Sequence, residues 1–358
     1  MVALGRNMTM PVHSGGSGRP EPAIRLADIA RQAGVSEATV SRVLNGKAGV
    51  ASGTRRCVLA AMDLLGYERP ARTRQNSNGL VGLITPELDN PIFPAFAQAI
   101  ERTLTQHGYT PVLCTQEPGG ATEDEFVQAL VDRGVAGIVF VSGRHADTTA
   151  AQDRYVRLVQ RATPIVLIDG YAAEVLAPFF SPDDRAAARL AVSHLIALGH
   201  NRIGLAIGPE RFVPAGRKAE GFRAAMASKM DTDEVENLIV STLYSVEGGR
   251  AAAEELLDRE CTAVFCASDL MALGAIRAAR KRGLRVPEDF SVVGFDDSPL
   301  MAFTDPPLTT IRKPVAAIAA AAVRTLLDRI RGKDCPVGEF VFDPELIVRG
   351  STAACPAR

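Results

Sequence analysis

Tryptophan is absent, and aromatic residues make up only 5% of the 358 positions. Any stacking surface must therefore come from a few Phe and Tyr rings. Long apolar runs are missing too: none approaches the ~20 residues of a membrane helix, so no membrane partner is expected. The N-terminus is polar and rich in Gly, Ser and Pro, without the apolar core of a signal peptide. Residues 1–23 read as a disordered tail, and the chain as cytoplasmic. Cys57, Cys114, Cys261, Cys266, Cys335 and Cys355 are scattered, with no CxxC pair. Reduced thiols fit that pattern better than a disulfide framework, and no histidine stands near Cys261 or Cys266 at metal-ligand spacing. Catalytic signatures are lacking as well. There is no GxxxxGKS/T phosphate loop, no GxGxxG after the first strand, no GxSxG elbow and no HExxH. Neither a cofactor nor an enzyme is asked for.

Charge is nearly balanced overall but uneven along the chain. Residues 1–78 carry 11 Lys/Arg against 5 Asp/Glu, and the remainder 29 against 36. A basic module before an acidic body is the footprint of a DNA-binding head, or more plainly of a solvated basic arm. The stretch Leu26–Asn45 favours the head. Leu26, Ile29 and Ala30 form one apolar stripe, and Val40, Val43 and Leu44 a second. Gly34 sits at the corner between them, and Ser36 is placed to cap the second helix. The small Ala30 permits a close crossing, and the β-branched Val40 fills the wedge. The outer face carries Glu37, Ala38, Ser41, Arg42 and Asn45, groups suited to base edges in a major groove. Ser52 or Thr54 can cap a third helix through Val58, Met62 and Leu65, ended by Gly66. Residues 24–68 thus read as an all-α helix-turn-helix domain, and 69–79 as a polar, Arg-rich linker.

From Leu80 onward, apolar strands alternate with amphipathic helices in two series, which argues for α/β architecture with two parallel-sheet subdomains. The expected partition is about 80–178 with 303–330, and about 179–302 with 331–358. Ligands of such sheets gather beyond the carboxyl ends of strands. Those ends carry Asn90, Phe93, Asp169, Arg217, Lys218, Asp269, Phe295 and Asp296, a set suited to a polyhydroxylated small molecule. Each has a plainer reading: Asp269 as a helix N-cap, Asp296 with Asp297 as a turn, Asn90-Pro91 as a strand breaker, Arg217 and Lys218 as surface charge. The five histidines read as structural.

The head IRLADIARQAGVSEATVSRVLN, with LLGY after it, resembles the lactose-repressor (LacI/GalR) family of transcription regulators. HLIALGHNRIGL, ASDLMALGAI, FSVVGFDDSPL and PPLTTIRKP are similar to further blocks of that family, and the resemblance covers roughly residues 24–352. It implies a periplasmic-binding-protein-like core behind the helix-turn-helix head. It further implies a homodimer on a near-palindromic double-stranded operator, regulated by a small effector, most often a sugar. By the same resemblance Glu37 and Ala38 begin the recognition helix, and Thr39, Ser41, Arg42 and Asn45 match its more constant DNA-contacting positions. Asp169, Asp269 and the segment Asn90–Phe93 match effector-pocket positions. The family's pocket arginine falls on Lys218, with Arg217 adjacent. Phe93, Phe295 or Tyr244 must supply the aromatic platform.

The hinge departs from the family. Its Ala-Arg-x-Leu tetrad corresponds to Ala71-Arg72-Thr73-Arg74, so Arg74 stands where a leucine would wedge into the minor groove. Arg72 and Arg74 are expected to engage that groove electrostatically instead. The expected function is a repressor of carbohydrate-utilisation genes, released by a sugar-like effector. The alternatives are a regulator that needs a purine-like co-repressor and an extracytoplasmic-type sugar-binding protein.

Overall fold

A computed structural model describes residues 24–44, 49–67, 78–116 and 119–356. The chain divides into two compact units, Met1–Gln75 and Asn76–Arg358. The expected tail, Asn45, Arg72, Arg74 and most of the expected linker lie outside the described residues. Among the described residues no helix is long and apolar enough to cross a membrane.

The first unit holds α1 (Leu26–Ala33), α2 (Glu37–Leu44) and α3 (Ser52–Leu65). Ile29, Ala30, Val40, Val43, Val58 and Ala61 form its buried core. Full burial of each large member stabilises the unit by roughly 1.5–3 kcal/mol, which matters in a core this small. Gly34 turns the corner at φ 65°, a conformation that costs a residue with a Cβ. The Ser36 hydroxyl accepts the Thr39 N–H at 3.2 Å and so starts α2. Gly66 closes α3 at φ 64°. The start of α3 differs from expectation. Ala51 is its N-cap and makes no side-chain bond, so neither Ser52 nor Thr54 serves that role.

The second unit has two six-stranded sheets. The first lobe is built from β1 (Leu80–Thr85), α4 (Ile92–Gln106), β2 (Thr110–Thr115), α5 (Glu123–Asp132), β3 (Gly137–Val141), α6 (Asp153–Gln160), β4 (Ile165–Ile168) and β5 (Pro178–Pro182). The second lobe follows with α7 (Asp184–Ala197), β6 (Ile203–Ile207), α8 (Val213–Met226), α9 (Thr232–Glu236), β7 (Ile239–Ser241), α10 (Val246–Asp258), β8 (Ala263–Cys266), α11 (Asp269–Lys281), β9 (Ser291–Asp296) and β10 (Thr309–Arg312). Then α12 (Val315–Ile330) and β11 (Gly338–Phe342) return to the first lobe, and β12 (Glu345–Ile347) ends in the second. Strand order is β11-β5-β4-β3-β1-β2 in one sheet and β12-β10-β9-β8-β6-β7 in the other. All pairs are parallel except β10 with β12. The continuous burial of β1, β3, β4, β6, β8 and β9 follows from helices on both faces.

The expected partition needs three corrections. β5 belongs to the first sheet, so the first crossing falls after Pro182 rather than at 178. β10 lies in the second sheet, so only α12 of the stretch 303–330 returns to the first lobe. The stretch 331–358 does not lie wholly in the second lobe: β11 pairs in the first sheet and β12 in the second. Pro344 has no N–H for a ladder bond, and the chain changes lobes there. The three crossings are laced together. The Asp183 N–H donates to the Phe342 carbonyl at 2.8 Å, and Arg312 reaches Glu345 at 2.9 Å.

The helices α10 and α11 cross so closely that glycine is required. A Cβ on Gly274 would lie 2.0 Å from the Val246 carbonyl oxygen, and one on Gly249 2.1 Å from that of Met271. Helix propensity alone favours alanine by roughly 0.5–1 kcal/mol. Overpacking against backbone costs about 1–3 kcal/mol or more. Gly274→Ala should therefore lower the urea midpoint of the second unit; an unchanged or raised midpoint would show that the crossing yields.

Candidate functional site

Residues that follow β1, β2, β3 and β4 in one sheet, and β6, β7, β8 and β10 in the other, together with the last two residues of β9, line a cavity of about 470 Å³ between the lobes. The turns at these strand ends are strained. Ser142, Asp169 and Asp296 have φ of 46°, 67° and 112°. A non-Gly residue so placed costs of order 1–3 kcal/mol, a cost that concentrates where side chains must be aimed. The Ser142 hydroxyl donates to Asp169 Oδ2 at 2.8 Å. Gly208 ends β6 without a Cβ, which would stand 2.0 Å from the Tyr244 ring. That space lets the ring of Tyr244 lie along the cavity wall. At the mouth, Arg211 donates to Asp147 at 3.1 Å, and its carbonyl accepts the Thr148 N–H at 2.9 Å.

The deep end holds a buried charge cluster. Lys313 Nζ donates to Asp169 Oδ2 at 3.1 Å and lies 3.4 Å from Asp296 Oδ1. Lys218 is paired with Asp184, and its ammonium lies 3.9 Å from the centre of the Phe295 ring. Burial would push Asp169 up, but Lys313, Lys218 and the Ser142 hydroxyl more than offset it and hold its carboxyl below the usual range. Burial wins at Asp296, which reaches about 6 although Lys313 and Lys218 pull it down. Burial likewise raises Asp184. Lys313 is held above its ordinary value, because Asp169, Asp296 and Asp184 outweigh its desolvation. Asp169 Oδ1 and Asp296 Oδ1 have no hydrogen-bond partner. No cluster of His, Cys, Asp and Glu among the described residues could hold a metal ion.

On the first unit, Glu37, Ala38 and Arg42 are exposed along one side of α2, while Thr39 and Ser41 are half-buried. Glu37 stands in the first turn, where an anion suits the helix dipole.

Residues 25–70 match the model of the bacterial regulatory proteins of the lacI family, and residues 192–352 match a periplasmic binding protein-like domain. The regulator MalR of Streptomyces coelicolor is 67% identical over 93% of this chain and 97% of its own length. The chain belongs to the LacI family of transcriptional regulators. Such regulators are not enzymes. Two solved members of the fold are similar along almost their whole length. The CelR–cellobiose complex is 31% identical, covers 92% of this chain and 99% of its own, and has a TM-score of 0.66. The lac repressor dimer bound to operator and the anti-inducer ONPF is 28% identical, covers 93% and 100%, and scores 0.67.

Within this LacI-family core the cavity gathers Asn90, Phe93, Asp169, Lys218, Phe295 and Asp296. Two other sequence candidates lie off it. Arg217 forms a two-pronged pair with Glu339 of β11 at 2.6 and 2.8 Å. Lys218 is thus the cation that faces the cleft. Asp269 sits behind the wall, where Asp269 Oδ2 accepts the Ser298 N–H and Oδ1 the Thr310 hydroxyl, both at 2.7 Å. It is not the N-cap of α11 either: Ser268 is, by accepting the Met271 N–H at 3.2 Å, and Ser268 also lines the cavity. Asn90 keeps both of its readings, since its side chain accepts the Ile92 N–H at 3.3 Å and it still lines the cavity. Sequence reasoning missed Ser142, Lys313, Phe212 and Asp184. The strand-end rule reaches the first two when applied to β3 and β10.

Burial and neighbouring Asp296 push Asp269 up to about 7, against the bonds from Ser298 and Thr310. The folded chain then holds a proton that the unfolded chain, near pKa ~4, releases. This contribution to stability is complete below about pH 4 and is lost as pH rises through about 7. The depressed histidines His145, His194 and His200 act with the opposite sign. The readout is therefore variant minus parent. Asp269→Asn should gain stability relative to the parent from pH 5 to pH 8 in urea titrations, and a pH-independent difference would sink the assignment.

Proposed function

We propose that the chain is a homodimeric repressor of carbohydrate-utilisation genes that leaves a near-palindromic operator when a sugar-like effector fills the cleft. The cavity wall carries this reading. Asp169 Oδ1, which has no hydrogen-bond partner, and Asp296 Oδ1, held only by its 3.4 Å ion pair with Lys313, suit hydroxyl donors. The ammonium groups of Lys218 and Lys313 suit ring and hydroxyl oxygens. The faces of Phe93, Phe295 and Tyr244 suit the apolar side of a sugar ring. The cellobiose bound by CelR supports the same class of ligand.

Self-association is supported by an apolar knob. Leu300 and Phe303, on the 3-10 turn Pro299–Phe303, are 68% and 85% exposed. Large apolar side chains paired on a surface favour a protein partner, and a second copy is the partner that a two-fold operator requires. The lac repressor relative is a dimer on operator DNA. On this reading the protein works in the cytoplasm.

Glu37 and Ala38 then begin the readout in the major groove, followed by Thr39, Ser41, Arg42 and Asn45. Arg72 and Arg74 supply the minor-groove charge. Selection of duplexes from a random pool, with and without cellobiose or ribose, tests the whole reading. The expected product is an inverted repeat whose recovery falls when an effector is added. Recovery raised by a purine would replace the sugar with a co-repressor, and no enrichment under any condition would reject the operator reading. Arg42→Ala should weaken the selected site by about 10–100-fold. Arg74→Ala should flatten the plot of log affinity against log salt by about one unit; an unchanged slope would remove Arg74 from the interface.

A further inference from the structure

We infer that Lys313 is a lobe-bridging specificity residue, which holds Asp169 and Asp296 together across the cleft and restricts the effector to a neutral polyol. The inference rests on the cleft's being the effector site. Lys313 occupies the second crossing, one residue beyond β10 and two before α12. Any change in lobe angle passes through this segment, so the ammonium moves with it. Its side chain is 5% exposed, lines the cavity, and faces one carboxylate from each lobe: Asp169 at the end of β4 and Asp296 at the end of β9. The rings of Phe96 and Phe295 lie 6.0 and 5.1 Å from it. Asp184 of α7 and Lys218 of α8 complete the charged groups around it.

An ammonium has three N–H donors. Asp169 Oδ2 accepts one of them, and Asp296 Oδ1 attracts the ammonium only at ion-pair distance, which leaves donors for an oxygen of the ligand. Three carboxylates already face two ammonium groups here. A sugar acid or a sugar phosphate would add negative charge to a buried site in carboxylate excess, where little water screens it. A neutral sugar brings hydroxyl donors for Asp169 Oδ1 and Asp296 Oδ1 and an acceptor for Lys313.

The test compares full-length parent and Lys313→Met, an unbranched side chain of similar length without the charge. Calorimetric titration uses cellobiose and ribose, and the aldonic acid made from each. The parent should bind a neutral sugar at least about 10-fold more tightly than its acid, and Lys313→Met should lose about 10–100-fold of the neutral affinity. Equal binding of the acid, or an affinity unchanged in the variant, would overturn the inference.

A second readout needs no ligand. Loss of the ammonium raises Asp169 and Asp296, so stability of the variant relative to the parent should fall from pH 5 to pH 8, opposite in sign to Asp269→Asn. Parallel pH profiles would overturn the bridge. If no sugar binds the parent, the effector reading fails, and the pH profiles still decide whether Lys313 bridges the lobes.

Discussion

Three crossings of the chain between two sheets, after Pro182, after Arg312 and after Phe342, constrain everything else in the second unit. A parallel sheet has all its strand ends of one kind on one edge. A chain that leaves one such edge and enters the next sheet brings the two carboxyl edges face to face. Nine strands then deliver residues at or beyond their carboxyl ends to one cavity. The crossings do not run separately. Asp183 is bonded to the third through Phe342, and Arg312 of the second reaches Glu345 of the third. Arg217 of α8 adds a two-pronged pair to Glu339 of β11, another link between the lobes. The lobes are therefore coupled through a narrow set of polar contacts rather than through one shared apolar core. The buried clusters divide in the same way, with the second lobe packed around β6, β8 and β9 and the first around its own sheet.

The deep wall is costly to assemble. Burying a charge without a partner is prohibitive, and burying a pair costs several kcal/mol per ion before attraction offsets it. Here Lys313 and Lys218 face Asp169, Asp184 and Asp296, and the carboxylates respond unequally. Asp169, between two ammonium groups and under a hydroxyl donor, stays ionised; Asp296 and Asp184 are pushed upward. The strained backbone of Ser142, Asp169 and Asp296 adds to the cost. Strain and buried charge in one place, beside acceptors without donors, describe a surface shaped for a polar ligand rather than for stability.

Much of this was legible in the sequence because it rests on local periodicity. The three helices of the first unit, the Ser36 cap and the glycine stops at Gly34 and Gly66 follow from spacing and backbone chemistry alone. So do most strands and helices from Leu80 onward. What escaped depends on partners far away in the chain. β5, Pro178–Pro182, is bounded by prolines and resembles a loop until β4 and β11 flank it. Neighbours Arg217 and Lys218 cannot be ranked by spacing; Glu339, 122 residues on, draws one away and leaves the other to the cleft. Asp269 reads as a cap or a ligand contact; Ser268 takes the cap, and Ser298 and Thr310 hold both Asp269 oxygens behind the cavity wall. Pro344, between β11 and β12, is the local mark of the third crossing, but the sheet that each strand joins is set by β5 and β10, far away in the chain.

The position of the charge cluster explains why a ligand in this cleft would bear on lobe geometry at all. A ligand shifts a conformational equilibrium only by its differential affinity for the two states. Contacts confined to one lobe would bind equally well in both. Here Asp184, two residues beyond the first crossing, is paired with the cavity-lining Lys218, and Lys313, within the second crossing, lines the cavity itself. Asp169 and Asp296, on opposite lobes, share one ammonium. A molecule that competes for that ammonium, or donates to either carboxylate, changes the attraction between lobes directly. No long pathway through packed side chains is needed, because the second crossing itself, through Lys313, forms part of the wall.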